Sequence, residues 1–92
     1  MSCSVTRHAG RRLQARSISM ELVDALLDFG RFRHDHRGAE VVFFDHSAKV
    51  RLRQDRPDLY QRYAARLNAY LVLALDGSLI TAGWRRRPFR HP

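Results

Sequence analysis

Two apolar, β-prone runs stand on either side of Asp76-Gly77, near the end of the chain. The first run covers residues 70–75 and the second covers residues 79–84. Asp-Gly between two such runs is a strong local signal for a β-hairpin, because a tight turn needs positive φ angles that glycine adopts readily. The sequence therefore predicts an antiparallel sheet whose last two strands pair across this turn.

Two helices are predicted near the start of the chain. Thr6 is a candidate N-cap for a helix over residues 7–16, and Ser19 is one for a helix over residues 20–29. The second helix has an apolar stripe on one face and acidic residues on the other, and Gly30 follows it as a C′ residue. We expect this helix to pack against the core.

The middle of the chain predicts a further hairpin and a helical insertion. Residues 31–45 have the pattern of a hairpin with its turn near 36–38, a short helix is assigned from Ser47, and Pro57 begins another helix that runs to about Asn68. The predicted class is α+β: two N-terminal helices packed on a small three- to four-stranded antiparallel sheet, with a helical insertion before the C-terminal hairpin.

Length and composition limit the class of protein further. A chain of 92 residues supports one core, so residues 1–92 are predicted to form a single domain with a basic tail at 86–92. Its one cysteine cannot form an internal disulfide, and no segment approaches the roughly 20 apolar residues that cross a bilayer. Without a signal-peptide core at the N-terminus, the sequence predicts a cytoplasmic protein with no membrane partner.

The net charge of +8 comes entirely from the two ends of the chain. Residues 1–18 and residues 77–92 each contain four arginines and no acidic residue, whereas acids and bases balance between them. Arginine matches phosphate oxygens with a planar fork of donors and stays charged at any physiological pH. If folding brings the ends together, they form one cationic surface, which predicts RNA or another nucleic acid as the partner.

The first helix carries three residues of chemical interest. His8 and Arg12 lie along the edge of its apolar face, one turn apart, and Arg16 falls inside that face. An arginine in such a position needs acceptors, so Arg16 either pairs with an acid or carbonyl of the fold or lines a concave site where a ligand phosphate supplies the charge.

Short motifs at both ends of the chain resemble a known group of proteins. The first helix carries His8-Ala9-x-x-Arg12-Leu13-x-x-Arg16-x-Ile18, followed by Glu21-x-Val23. The closing hairpin carries Tyr70-Leu71-Val72 and Ile80-Thr81-x-x-Trp84-Arg85. These motifs resemble a small bacterial family of unknown function that is grouped with RelE-type and colicin-type ribonuclease toxins. The resemblance implies an α+β domain with its active surface between the first helix and the last strands, and metal-independent RNA cleavage.

RNA cleavage of this kind needs an acid or base and groups that hold the phosphate, and the sequence offers candidates for these roles. His8 is the candidate acid or base, Arg12 holds the phosphate and Thr81 orients an oxygen, so these three are the predicted catalytic residues. The arginines predicted to bind nucleic acid are Arg11, Arg16, Arg85, Arg86 and Arg87. No cofactor is expected.

The last strand and the tail offer a second kind of contact. The tail interleaves aromatic residues with arginines, as surfaces for single-stranded nucleic acid do, although a core tryptophan followed by solubilising arginines has the same pattern. On the strand itself, alternation puts Ile80, Ala82 and Trp84 on one face and Thr81 and Arg85 on the other.

Some alternatives remain open at this point. His34, Asp35 and His36 invite a metal hypothesis, but a solvated, charged hairpin turn explains the same residues and no third ligand has the necessary local spacing, so no metal site is predicted. The function is either that of an RNA-binding ribonuclease, of a nucleic-acid-binding module without catalysis, or of an interaction domain for an acidic, antitoxin-like protein. The oligomeric state is not determined by the sequence.

Overall fold

The computed structural model describes residues 4–35 and 38–85 of the chain. The elements follow in the order α1 (Arg7–Ala15), α2 (Met20–Phe29), β1 (Arg31–His34), β2 (Glu40–Phe43), α3 (His46–Asp55), α4 (Pro57–Arg62), the 3-10 turn η1 (Ala64–Arg66), β3 (Ala69–Leu73) and β4 (Leu79–Trp84). The strands form one antiparallel sheet in the order β1-β2-β3-β4. The predicted α+β fold, with two N-terminal helices and a helical insertion before the final hairpin, is confirmed. The predicted tail, 86–92, lies outside the described residues.

Helix α1 begins and ends through local hydrogen bonds. The hydroxyl of Thr6 accepts from the amide of Ala9 at 3.1 Å, as predicted for an N-cap. At the other end, Ser17 takes a left-handed conformation with φ 54°, and the amide of Ile18 donates to the carbonyl of Leu13 at 2.8 Å. This is the Schellman arrangement that closes many helices. It turns the chain towards α2 and buries Ile18 in the core.

Helix α2 has the predicted bounds. The glycine that follows it, Gly30, is required for a different reason from the one expected. The Ser19 hydroxyl accepts from the Leu22 amide at 3.2 Å. Gly30 has φ −68°, outside the left-handed region that a C′ glycine usually occupies. A Cβ at this position would instead collide with the carbonyl of Leu26 and lie 2.8 Å from Cγ1 of Val42. Glycine is required here because a side chain would collide first with the last turn of α2 and then with Val42 of β2.

The helical insertion differs in detail from the prediction. Helix α3 is capped by Asp45, whose carboxylate accepts from the Ala48 amide at 2.8 Å, so the expected cap at Ser47 is wrong. Helix α4 starts at Pro57 as predicted but ends at Arg62, well short of Asn68. A 3-10 turn fills the remaining distance to β3.

A polar cluster fastens the end of α4 to the start of α2. Glu21 accepts from Arg62 at 2.6 Å and from the hydroxyl of Tyr63 at 2.7 Å. The Tyr63 hydroxyl also lies 2.9 Å from the hydroxyl of Ser19. These hydrogen bonds lower the pKa of Glu21, with the bond from Arg62 as the largest cause and that from Tyr63 next. The cluster is exposed, so its stabilisation of the fold is modest.

One face of the sheet is covered by the helices and contains the core. Val42, Leu71 and Ala82 lie side by side on β2, β3 and β4, and all are buried. They join a hydrophobic cluster to which the helices also contribute, namely Ala9, Leu13, Leu22, Val23, Ala25, Leu26, Ala48, Leu52 and Leu59. The buried residues of the helices therefore pack on this face of the sheet.

An irregularity in the last hairpin changes which residues of β4 face the core. Thr81 pairs with Val72, but Leu79, not Ile80, pairs with Leu73. The extra residue is a β-bulge, so strict alternation fails before Thr81. Leu79 is fully buried and takes the core position that simple alternation assigned to Ile80.

The N-terminal segment ties α1 to the sheet. The Thr6 amide donates to the Leu79 carbonyl at 3.1 Å, and the Leu79 amide donates to the Ser4 carbonyl at 2.7 Å. Val5 thereby forms a short parallel bridge with Leu79. These bonds hold α1 alongside β4 on the helix-covered face.

The second face of the sheet is different in character. Phe43, Tyr70 and Gly83 form one row across β2, β3 and β4, and Thr81 lies in the next row. Phe43 is buried but does not belong to the core cluster. Within residues 4–35 and 38–85, no helix packs its buried side on this face, which we call the open face.

Candidate functional site

Three of the predicted residues form a ridge along α1. His8, Arg12 and Arg16 are spaced by four residues, which stacks them on one side of a helix at steps of about 6 Å. His8 and Arg12 are exposed, and Nε of Arg12 donates to Nε2 of His8 at 3.3 Å. The contact places an imidazole and a guanidinium side by side on the exposed side of α1.

Arg16 is half-buried at the end of that ridge. Its backbone carbonyl accepts from Nε1 of Trp84 at 3.0 Å, which fixes the end of α1 to the end of β4. Among the residues that the structure describes, no Asp or Glu forms an ion pair with Arg16. Arg16 lines a concave surface, as one of the two alternatives for this residue expected.

The concave site consists of two adjoining cavities where α1, η1, β3 and β4 meet. The larger, of about 560 Å³, is lined by Arg16, Asn68, Tyr70, Gly83, Trp84 and Arg85. The smaller, of about 350 Å³, is lined by Arg16, Ser17, Ala65, Arg66, Asn68 and Trp84. We call the two together the basic cleft, because the described residues that line it include three arginines and no acid.

The other two arginines of the cleft are anchored by backbone carbonyls. Nη1 of Arg66 donates to the Ser17 carbonyl at 3.4 Å, and Nη2 of Arg85 donates to the Phe44 carbonyl at 3.0 Å. The guanidinium of Arg85 also lies 5.1 Å from the ring centroid of Phe43. These contacts hold both cations at the cleft.

Burial affects the electrostatics of Arg85. Desolvation lowers its pKa from the ordinary value, and the charge of Asp45 opposes that shift. Arginine begins so far above neutrality that Arg85 remains a cation at physiological pH. Because partial burial reduces screening by solvent, a phosphate beside Arg85 interacts with it more strongly than with an arginine in open water.

The predicted catalytic trio is not assembled. Ala9 of α1 is buried on the helix-covered face, whereas Thr81 points to the open face opposite Val72. Among the described residues, no hydrogen bond links Thr81 to His8 or Arg12. The sequence predicted correctly that Thr81 lies away from the core, but α1 packs on the other side of the strand.

Trp84 packs against the core, as one of the two interpretations of the tail predicted. Its indole packs against the hydrophobic cluster and its Nε1 is bonded to the Arg16 carbonyl. The aromatic ring that lies on the open face beside the cleft belongs to Tyr70, which sequence reasoning did not propose as a site residue.

Sequence reasoning also missed Arg66, Asn68 and Gly83. Asn68 binds the backbone just after β4, donating from its side chain to the Arg85 carbonyl at 2.9 Å. Nothing in the local sequence distinguishes Arg66 from the other arginines of the insertion, since its position in the cleft depends on how η1 packs.

The remaining predicted residues lie elsewhere. Arg11 is exposed on α1 and does not line the cleft, and Arg86 and Arg87 lie outside the described residues. His34 faces Glu40 across the β1–β2 pair, with Nε2 3.6 Å from Oε2. His36 is not described, and the described part of the chain contains no group of three residues able to hold a metal ion.

No helix among the described residues is long and apolar enough to cross a membrane. Comparison of the chain with protein-family models, with curated proteins and with solved structures found no match.

Proposed function

We propose that this protein binds RNA by holding backbone phosphates in the basic cleft. The main support for this proposal is the position of Arg16. It is half-buried, it lines a concave surface, and it has no acidic partner among the described residues. Removing part of the hydration of a guanidinium costs free energy unless hydrogen bonding and opposite charge replace it. A phosphate from a ligand supplies both.

The arrangement of the other cations supports a nucleic-acid backbone rather than a single small anion. Arg66 and Arg85 join Arg16 at the cleft, and the ridge continues outward to Arg12 and His8. Steps of about 6 Å along α1 offer successive phosphates of one extended strand a series of contacts. The net charge of +8 attracts such a polyanion over a longer range.

The test is a binding titration with an unlabelled single-stranded RNA oligonucleotide. Trp84 is the only tryptophan and lines both cavities, so its fluorescence reports binding in the cleft directly. We expect a change that saturates, with an affinity that falls steeply as salt is added because counterions are released from the RNA. An absent or salt-insensitive signal would exclude this function, and co-purification with an acidic protein would then favour the interaction-domain alternative.

Cleavage of the bound RNA is a second candidate, supported by the contact between His8 and Arg12. An imidazole beside a guanidinium offers an acid–base group and a phosphate-binding cation on the same exposed ridge. The resemblance of the chain ends to ribonuclease toxins supports the same activity.

Cleavage has its own test. Purified protein is incubated with RNA in EDTA, and we expect shortened products that disappear in His8→Ala and Arg12→Ala. His46→Ala is the matched control, because His46 is an exposed histidine at the start of α3 and does not line the cleft. If RNA is bound but stays intact, binding is retained as the function and cleavage is rejected.

A further inference from the structure

Tyr70 and Gly83 form a side-by-side pair on the open face. Their backbones are opposed in the β3–β4 ladder, and the phenolic end of Tyr70 lies over Gly83. A Cβ added to Gly83 would be 2.9 Å from Oη, 3.0 Å from Cε1 and 3.1 Å from Cζ of Tyr70. Any other residue at position 83 would therefore displace the ring. Gly83 is buried although it lies on the open face, which agrees with its position under Tyr70.

The Tyr70 ring adds an aromatic surface to the lining of the basic cleft. Tyr70 and Gly83 line the larger cavity together with Arg16 and Arg85, so an aromatic surface and two cations bound the same space. A volume of about 560 Å³ lies within the range of ordinary small-molecule sites. Aromatic rings beside cations are how many proteins hold single strands, with the base stacked on the ring and the phosphate on the cation.

We infer that the basic cleft takes one nucleotide of a single strand, with its base against Tyr70 and its phosphate on Arg16. This inference rests on the proposed function and adds a substrate class, unpaired rather than duplex nucleic acid. In a duplex the bases are stacked and paired with each other, so their faces do not reach Tyr70. Gly83 is the positioning residue, since it lets the ring keep its place at the cleft.

The experiment compares one labelled RNA oligonucleotide, as a single strand and as a duplex with its complement, by fluorescence anisotropy. Stacking on one aromatic residue corresponds to a loss of about 5- to 150-fold in affinity when the ring is removed. We expect Tyr70→Leu to weaken single-strand binding by that factor and Tyr70→Phe to retain it. Gly83→Ala keeps the tyrosine but displaces it, and is expected to weaken single-strand binding as well.

The duplex and a folding control separate the possible results. Duplex binding, which depends on phosphates alone, should change less than twofold in Tyr70→Leu and Gly83→Ala, and circular dichroism identifies any variant that fails to fold. If Tyr70→Leu does not fold, Gly83→Ala and Tyr70→Phe decide the question.

Two different failures are distinguishable. Single-strand binding that depends on Arg16 but is unchanged in Tyr70→Leu and Gly83→Ala overturns the stacking inference and leaves the proposed function standing. An equal loss for single strand and duplex also overturns it, because the ring would then act only on the structure. No binding of either form removes the proposed function and this inference with it.

Discussion

Replacement of Arg16 by glutamine separates a ligand-binding role from a structural one. Arg16 is half-buried, and within the described chain it has no acidic partner. Its backbone carbonyl accepts from Trp84, and the substitution leaves that bond in place. We therefore expect Arg16→Gln to leave the free energy of unfolding nearly unchanged, because it breaks no ion pair among the described residues and keeps the bond from Trp84.

Binding, in contrast to stability, should weaken. A hydrogen bond to a charged group contributes about 1.5–3 kcal/mol, and partial exposure of Arg16 reduces this to about 1–2 kcal/mol. That corresponds to a loss of roughly five- to thirtyfold in affinity for single-stranded RNA. The loss of one phosphate contact also makes the negative slope of log K against log salt less steep, by about 0.7 for a single strand.

The assay needs a control that changes net charge by the same amount. Arg53→Gln provides it, since Arg53 is an exposed residue of α3 that lies over the Tyr60 ring at 5.8 Å and does not line the cleft. Anisotropy titrations at several salt concentrations give affinity and slope, and urea unfolding gives stability. The reasoning is refuted if both variants lose the same affinity, or if Arg16→Gln lowers the unfolding free energy by more than about 1 kcal/mol.

Three predictions about stability follow from the fold, each measured by urea unfolding. Ser17→Gly should add about 0.5–1 kcal/mol because Ser17 has φ 54°, and no gain would contradict the left-handed cap. Gly30→Ala should cost about 1–3 kcal/mol through its collisions with α2 and β2. Its control, Gly10→Ala, meets nothing closer than 4.0 Å inside α1 and should instead stabilise. Folding lowers the pKa of Glu21. The stabilisation that Glu21 gives the folded state is therefore fully present above its ordinary pKa of 4.5 and is lost as the pH falls through the lowered pKa. The unfolding midpoint should decrease on acidification below about pH 4.5, and Glu21→Gln should flatten that decrease; an unchanged pH profile would contradict the role of the cluster.

Much of the fold could be predicted because its signals are local. Thr6 and Ser19 cap the first two helices as expected, and Pro57 starts the fourth. Each signal depends on hydrogen bonding or backbone geometry within a few residues, which the sequence states directly. The predictions failed where two local signals compete. Asp45 and Ser47 are both possible N-caps for α3, and the structure shows that Asp45 is the cap, because its carboxylate accepts from the Ala48 amide.

The candidate site was predictable only in part. The spacing of His8, Arg12 and Arg16 determines that they share one side of a helix, because the helical repeat is fixed. The bulge before Thr81 was not visible, since an extra residue in a strand costs little and leaves no pattern in the apolar run. It changes the core residue of β4 from Ile80 to Leu79.

The sequence by itself determined the basic character of both chain ends, the ridge along α1 and the antiparallel hairpin that closes the chain. Only the tertiary structure decided that α1 packs on the face away from Thr81, and that Arg16 meets Arg66, Tyr70 and Arg85 around one cleft. The physical reason is that spacing within an element follows from backbone geometry. Which residues of different elements face the same cavity depends instead on how the apolar surfaces of the helices and the sheet fit together.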